Sequence, residues 1–397
     1  MPSLFSTLTN ERCEMAGLYG QDGVNVPLGD QFSRFAGGLC TKTYGFCPNL
    51  DIVDLSRGLF RGPRFFIPKD LPPGTGFHLA PDGIGTKHII TDAAGLHEVS
   101  GADWVAMCGG DVTRYGGWPA LFTNNLDVST LGMNERSMAY LAACRLMTGL
   151  SQLAERHRFV MYNGETAELG ACIGSENPYA TLKYVWSGVA FGFFNERNVI
   201  TGERVHVGQA IIALRERGFR SNGGSSVRKA LRMHFGDDWY RFRSEWAFEV
   251  ARMAAEPSVI YDPFLAHLNG WSNACEPLVR ASLVVHLTGG SFRGKFFDDF
   301  LVRHGFSAVL TDLFDPPEVV RLCGEWRGFD SAGFYDTFSA GQGVLMVVDQ
   351  DDVGATITYA RAAGIEAKRC GEIVGTHGAP TLTIHSKFGS GGEVIIE

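Results

Sequence analysis

The sequence has no C-x-x-C pair among its nine cysteines, which stand at 13, 40, 47, 108, 144, 172, 275, 323 and 370. That spacing excludes the common zinc ribbons and dithiol redox motifs, and the odd count favours reduced thiols acting as small buried hydrophobes. The eleven histidines form no H-E-x-x-H or other close ligand pair, so no zinc centre is expected. No apolar run approaches the roughly 20 residues needed to span a bilayer. Met1 to Glu14 lacks the apolar core of a secretory signal, and a cytoplasmic protein with no membrane partner is expected. Positive charge is also short. The 35 Lys and Arg against 43 Asp and Glu leave a formal charge of -8, which argues against nucleic acid as a partner, because affinity for a phosphate backbone depends on concentrated basic side chains. Anionic ligands must then be held by local devices such as a metal ion or a helix N-terminus.

What is present is ample apolar material: 397 residues, 45% apolar and 20% charged, the scale of two or more globular domains. Helical and extended patterns alternate. Asn134 is placed to cap a helix whose apolar residues Met138, Leu141, Ala142, Leu146, Leu150 and Leu153 recur at three- and four-residue steps, with Arg156 and Arg158 at its C-terminal end. Phe159 to Tyr162 reads as a short buried strand that delivers Asn163-Gly164-Glu165 at its mouth, and Lys183 to Phe194 as a second strand. After Gly192 to Arg197 the pattern starts afresh, with Ala210 to Leu214 extended, a Ser221-Asn222-Gly223-Gly224 turn, and a helix from about Ser225 to Phe235. The domain boundary is placed there, dividing 1–196 from 197–397. Farther on, Asp351 is placed to cap a helix carrying Val353, Ile357 and Ala360 and ending at Gly364. Thr381 to Phe388, the turn Gly389 to Gly392 and Val394 to Ile396 read as a closing hairpin.

The chemistry concentrates in short segments bearing glycine and carboxylate. Asp82-Gly83-Ile84-Gly85-Thr86-Lys87 puts a carboxylate, two glycines, a hydroxyl and an ammonium within six residues, the equipment to hold a metal while backbone N–H groups approach a phosphate. It is not a Walker A loop, having too few residues between its glycines and no Lys-Ser/Thr pair. Asp111 follows two glycines, and Glu165 and Glu168 stand in Gly164-Glu165-Thr166-Ala167-Glu168. Plainer roles stay open from the residues alone. Asp82 could open a turn, Asp111 could cap a helix, and Glu165 and Glu168 could sit on a helix's first turn. Ser221 to Gly224 could merely cap the next helix, and His286 could be a core histidine.

Taken in order, these segments resemble the aminoimidazole ribonucleotide synthetase (phosphoribosylformylglycinamidine cyclo-ligase) family. Asp82 to Lys87 is similar to its D-G-V-G-T-K, Val105 to Cys108 with Asp111 to V-A-M-C-x-N-D, Gly116 to Phe122 to G-A-x-P-L-F-F, and Gly164 to Glu168 to G-G-E-T-A-E. Gly218 to Gly223 resembles S-G-x-H-S-N-G, with Val227-Arg228-Lys229 following. Pro257 to Tyr261 resembles P-T-R-I-Y, His286 to Gly290 resembles H-L-T-G-G, and Tyr335 to Gly343 resembles Y-R-T-F-N-x-G-x-G. The likeness runs from about Tyr19 to the C-terminus.

The resemblance implies an α/β (α+β) fold of two domains, with N-terminal strands of two subunits completing a barrel at a homodimer interface and an ATP site near it. The implied reaction is phosphorylation of the formamide oxygen of formylglycinamidine ribonucleotide by ATP, then attack by the amidine nitrogen to close the imidazole ring. A formamide oxygen leaves poorly and a phosphate leaves well, so the protein mainly positions groups and neutralises charge. Implied roles are Mg²⁺ on Asp82, Asp111 and Glu165, phosphate oxygens on Lys87, and ATP along Asp82, Gly83, Gly85, Thr86, Lys87, Asp111 and Glu165. The ribonucleotide would meet Arg220, Ser221, Asn222, Gly223, His286, Gly289 and Gly290, with Arg220 on its ribose phosphate. Departures from the family pattern stand at Gly110, Asn124, Asn163, Arg220 and Ser339, where the family has Asn, Asp, Gly, His and Asn. Asn25 and Pro27 replace acidic residues, and Arg57 to Arg64 stands where a glycine-rich loop is expected. Another ATP-dependent phosphotransferase of the superfamily, resembling thiamine-phosphate kinase, and a non-catalytic protein on the same fold stay open beside the cyclo-ligase.

Overall fold

The computed structural model describes residues 24–397; Cys13, Tyr19 and the Met1 to Glu14 segment lie outside the described residues. Helix α1 (Val26–Thr43) is followed by a hairpin of β1 (Leu50–Asp54) and β2 (Arg64–Pro68). A four-stranded sheet then forms from β3 (Thr75–Gly83), β4 (Trp118–Val128), β5 (Val160–Glu168) and β6 (Tyr184–Asn195), in the order β3-β6-β4-β5. Its helices are α2 (His88–Ala93), α3 (Ser100–Thr113) and α4 (Met138–His157). β4 and β5 are parallel because α4 carries the chain back between them; the other pairs are antiparallel.

The alternation of β6 shows how sequence sets the layers. Tyr184 and Trp186 are buried while Val185 is 48% exposed, so one face receives α3 and α4 and the other is open. On the inner face Trp104 of α3 stacks on Trp186 with centroids 5.6 Å apart, and Ala142, Leu146 and Leu150 of α4 join the same core. The outer face is covered only in part, where Phe66 of β2 meets Phe191 at 4.8 Å. Phe77 and Leu79 of β3 remain 54% and 63% exposed.

The remaining strands form one seven-stranded sheet in the order β13-β12-β9-β11-β7-β10-β8. They are β7 (Ala210–Arg215), β8 (Leu283–His286), β9 (Ser307–Leu310), β10 (Gln342–Val348), β11 (Ala367–Val374), β12 (Leu382–His385) and β13 (Glu393–Ile396). Central β7 has no polar residue before Arg215 because both its faces are covered: Ile211 and Ala213 enter one core, Ala210, Ile212 and Leu214 the other. Helices α5 (Gly224–Phe235), α6 (Glu245–Ala254), α8 (Glu318–Trp326) and α9 (Ser331–Thr337) lie on the first side with a π-helix, Phe292–Val302. Helices α7 (Asp262–Leu268) and α10 (Val353–Ala362) lie on the second.

Several expectations are adjusted. Helix α4 starts at Met138 with Ser137, not Asn134, at its N-cap, and Met138 and Leu141 are exposed, so its buried stripe begins at Tyr140 and runs on through Ala142. The short strand expected at Phe159 to Tyr162 runs on to Glu168, which puts Glu165 and Glu168 on a strand rather than a helical turn. Neither sheet closes on itself among the described residues: β3 and β5 are edges. The strands of the two sheets divide between Asn195 and Ala210, yet Ile89, Ile90 and Ala94, in and beside α2, pack in the core of the seven-stranded sheet. No helix among the described residues is long and apolar enough to cross a membrane.

Candidate active site

Asp82 lies at the end of edge strand β3, and Gly85–Lys87 forms a single 3₁₀ turn leading into α2. Gly85 takes φ +64°, which only glycine adopts without cost. The Asp82 carboxylate accepts from the Gly83 N–H at 2.7 Å. Asp111, on the last turn of α3, keeps a half-exposed carboxylate 3.6 Å from Arg114. Crowding by protein pushes the Asp82 carboxyl above its ordinary range; the Asp111 charge adds to this, while the Gly83 N–H and the Lys295 ammonium oppose it. Asp111 of α3 and Lys295 of the π-helix therefore lie near enough for their charges to act on Asp82.

The facing wall is the turn before α5 and the loop after β8. Ser221 Oγ donates to the Ile84 carbonyl at 3.2 Å, tying the turn to the signature, and Gly224 approaches the Thr86 hydroxyl. Gly289 lies beside the Asn222 amide oxygen. Arg220 and Ser221 take φ +47° and +53°, and Ser291, after Gly290 at +86°, takes φ +47°. Non-glycine residues held in such conformations carry strain of order 1–3 kcal/mol, and strain of this kind collects where a ligand is clamped. Helix α5 has Gly223 at its N-cap and no side-chain cap, so no side chain occupies its first N–H groups.

Behind that wall the structure corrects two roles. Arg220 is 1% exposed, and its guanidinium faces the interior, not a ribose phosphate. It donates to His286 Nδ1 at 2.8 Å, to the Val259 carbonyl at 2.8 Å and to Glu216 Oε2 at 3.3 Å. Lys87, 2% exposed, is likewise turned inward: its ammonium pairs with Asp103 at 2.7 Å and donates to the Glu256 carbonyl. His286 is buried as well. Loss of hydration and the nearby Arg220 and Arg114 charges push it far below its ordinary range, so it is neutral, accepting at Nδ1 from Arg220. Thr113 donates to Asp262 at 2.8 Å, and burial raises that carboxyl to about 6. This network locks α3 to the second sheet. It also explains one departure: a Cβ at position 110 would stand 2.9 Å from His286 Nδ1, so the imidazole is accommodated by glycine.

Glu165 is elsewhere. The register Asp82–Gly188–Asn124–Gly164 runs straight across the sheet, so three strand spacings of about 4.8 Å separate the edges by roughly 14 Å. Asp82 and Glu165 of one chain cannot share an ion, and no group of three His, Cys, Asp or Glu among the described residues is arranged to hold a metal. Glu165 lines two adjoining clefts of about 290 and 360 Å³, together with Arg61. Ser33 and Thr166, whose hydroxyls have no partner among the described residues, line the first. Glu168 is structural, accepting from the backbone N–H groups of Asn25 and Leu131 at 2.8 and 2.6 Å. Of the other departures, Asn124 accepts from the buried Trp186 indole at 3.0 Å, and Asn163 accepts from Thr123 at 2.6 Å. Ser339, 5% exposed, offers its carbonyl to the Gln342 N–H at 2.9 Å. Lys295 and Ser291 were not singled out from the sequence. The only signal for them was a serine directly after Thr288-Gly289-Gly290 and a lysine one helical turn beyond.

No family model matches the chain. It is similar to phosphoribosylformylglycinamidine cyclo-ligases, being 26% identical over 293 residues to that of Lachnoclostridium phytofermentans, across 74% of this chain and 80% of the relative. To that of Synechocystis it is 27% identical over 364 residues, across 91% of this chain and 98% of the relative. Among solved structures it shares its fold with hydrogenase maturation protein HypE in complex with ATP, with a TM-score of 0.54 and 13% identity over 81% of this chain and 84% of that one. Thiamine-monophosphate kinase from Stenotrophomonas maltophilia gives the same score and identity over 80% and 88%. On this similarity over most of its length, the chain is a divergent relative of the phosphoribosylformylglycinamidine cyclo-ligases.

Proposed function

We propose that the chain is an ATP-dependent cyclo-ligase that closes the imidazole ring of a formylglycinamidine ribonucleotide. The observation that carries this reading is the charge of Asp111 acting on Asp82 beside a signature that Ser221, just before the uncapped start of α5, ties down at Ile84. Mg²⁺ is characteristically held by one or two carboxylates together with substrate phosphates, and this pair fits that donor set without Glu165. Asp82 and Asp111 would hold the ion, and the ion would neutralise charge on the transferring phosphoryl group. Lys295 supplies a positive charge at the same cleft. The N–H groups around Ser221, Asn222 and Gly223, with Gly289 and Gly290, form the wall for the ribonucleotide. Arg220 and His286 hold that wall from behind, and Lys87 anchors the signature.

The open outer face supports a homodimer. Phe77, Leu79 and Val185 expose an apolar sheet surface of a kind monomers seldom leave bare. A two-fold axis along the strands would set the β5 edge of one copy over the β3 edge of the other, bringing Glu165 toward the second copy's Asp82 and making the ATP site shared. Transfer of phosphate to a different small acceptor is the runner-up reading, because Gly110 and Arg220 alter the substrate wall relative to the family pattern.

The test is ADP formation. Turnover that requires formylglycinamidine ribonucleotide, requires Mg²⁺ and disappears in Asp82→Asn with an unchanged melting curve supports the reading. Turnover with thiamine monophosphate instead supports the runner-up, and full activity in Asp82→Asn removes this cleft from catalysis. Turnover should also fall on acidification through the raised Asp82 pKa, since the protonated acid cannot hold the ion.

A further inference from the structure

A cleft of about 530 Å³ opens between the loop joining β5 to β6 and the Trp239–Phe242 turn, with Asp92 and Ala93 of α2 as its floor. None of the segments that resemble the cyclo-ligase family falls in its walls. Its volume lies in the roughly 300–1,000 Å³ range of small-molecule sites.

The walls are specific in chemistry. Asn177 is 4% exposed; its side-chain oxygen accepts from the Tyr179 N–H at 2.9 Å, which leaves its amide hydrogens as donors without a partner among the described residues. Asp92 is fully engaged, accepting from His97 at 2.8 Å and from the N–H groups of Thr181 and Leu182 at 3.1 and 2.9 Å, so it secures the loop and does not invite a cation. Tyr179 and Tyr240 form a tilted pair, with centroids 6.5 Å apart and planes 50° apart, and so make one continuous aromatic wall. Phe242 lines the same wall at φ +44°, a conformation that a bulky residue adopts only under constraint. At the mouth, Arg241 lies 4.7 Å over the Tyr179 ring and donates to its hydroxyl. No carboxylate among the described residues lies within ion-pair distance of it, because the neighbouring Asp238 is taken by Arg243.

We propose that this cleft is a second ligand site, separate from the carboxylate cleft, for a planar heteroaromatic molecule bearing an anionic group. The ring lies against the wall formed by Tyr240 and Phe242, where aromatic faces favour a planar partner. The Asn177 amide donates to a ring acceptor, and the anionic group meets Arg241 in a charge-assisted bond.

Calorimetric titration of the full chain with AMP and with adenosine tests this directly. AMP binding is expected to survive Asp82→Asn, to vanish in Tyr240→Ala, and to weaken about tenfold or more in Arg241→Ala, the loss of one charge-assisted bond. Adenosine, which lacks the anion, should bind wild type and Arg241→Ala within about twofold of each other. Arg241 is a surface side chain, so its variant should melt as the wild type does. No AMP binding at millimolar concentration overturns the proposal. So does an Arg241→Ala isotherm equal to that of wild type, or loss of AMP binding in Asp82→Asn, which would place AMP in the carboxylate cleft.

Discussion

Replacing Arg220 by alanine should cost stability far more than it costs substrate affinity. The guanidinium is buried between Glu216, His286 and the Val259 carbonyl, with the Tyr261 ring 4.8 Å beneath it. Removing it leaves Glu216, itself 0% exposed, without its counter-charge, and breaking a buried pair in this way costs about 3–5 kcal/mol. For a folding unit of 150–250 residues that corresponds to a fall in Tm of roughly 6–20 °C. The deficit should depend on pH with a definite sign. Burial already raises the Glu216 carboxyl despite Arg220, and without the guanidinium it rises further. A carboxyl whose folded pKa is raised binds protons more tightly when folded. Its stability contribution is therefore present at low pH and lost as pH climbs through the folded value, so the variant should be less impaired at pH 5 than at pH 8. Calorimetric melts of both proteins at the two pH values check this. A deficit below about 1 kcal/mol, or one that ignores pH, together with a raised Michaelis constant for the ribonucleotide alone, would refute the buried role and restore Arg220 to the substrate.

Lys87→Ala should lower Tm as well, by about 3–5 kcal/mol of lost stability, because Asp103 would be left buried without its ion-pair partner; a melt unchanged from wild type would put Lys87 back at the phosphate. Leu79→Asp should convert a sedimenting dimer into a monomer, since it places a charge on the exposed apolar face of β3; an unchanged sedimentation coefficient would remove this face from the interface. Ser291→Gly should raise stability by about 1 kcal/mol through relief of its positive φ while reducing turnover, and greater stability with full turnover would mean the strain serves no ligand.

Local patterning carried much of the fold. The strand expected at Lys183 to Phe194 is β6 within one residue at each end, and the closing hairpin is β12 and β13, because alternation and turn glycines are properties of neighbouring residues. The helix expected after Asn134 starts later because the Ser137 hydroxyl accepts from the Met133 and Asn134 N–H groups and holds that stretch as a turn, and the exposed Met138 and Leu141 mimic a buried stripe. The site was legible only as short segments: Asp82 and Asp111 stand in glycine-bearing motifs, and the Asp111 charge acts on Asp82. It was illegible where burial is decided by distant chain. Arg220 and Lys87 carry charges that favour the surface by type, and buried partners, foremost the carboxylates of Glu216 and Asp103, hold them inward. Glu165 shares a motif spacing with its family, but sheet order fixes its distance from Asp82, and no local pattern encodes that order.

Helix α2 has a consequence for how the molecule is made. Its Ile89 and Ile90 leave the first sheet's chain and bury themselves with Phe219, Val250 and Leu287 of the second, while Asp92 on the same helix clamps the start of β6. During synthesis from the N-terminus, those isoleucines emerge long before the strands that cover them. The first sheet would then wait with an apolar helix uncovered until more than a hundred further residues have been made. A chain severed after residue 196 should yield two fragments that are poorly soluble apart and regain structure when mixed, the helix being the plug that the second half lacks and the first half cannot bury.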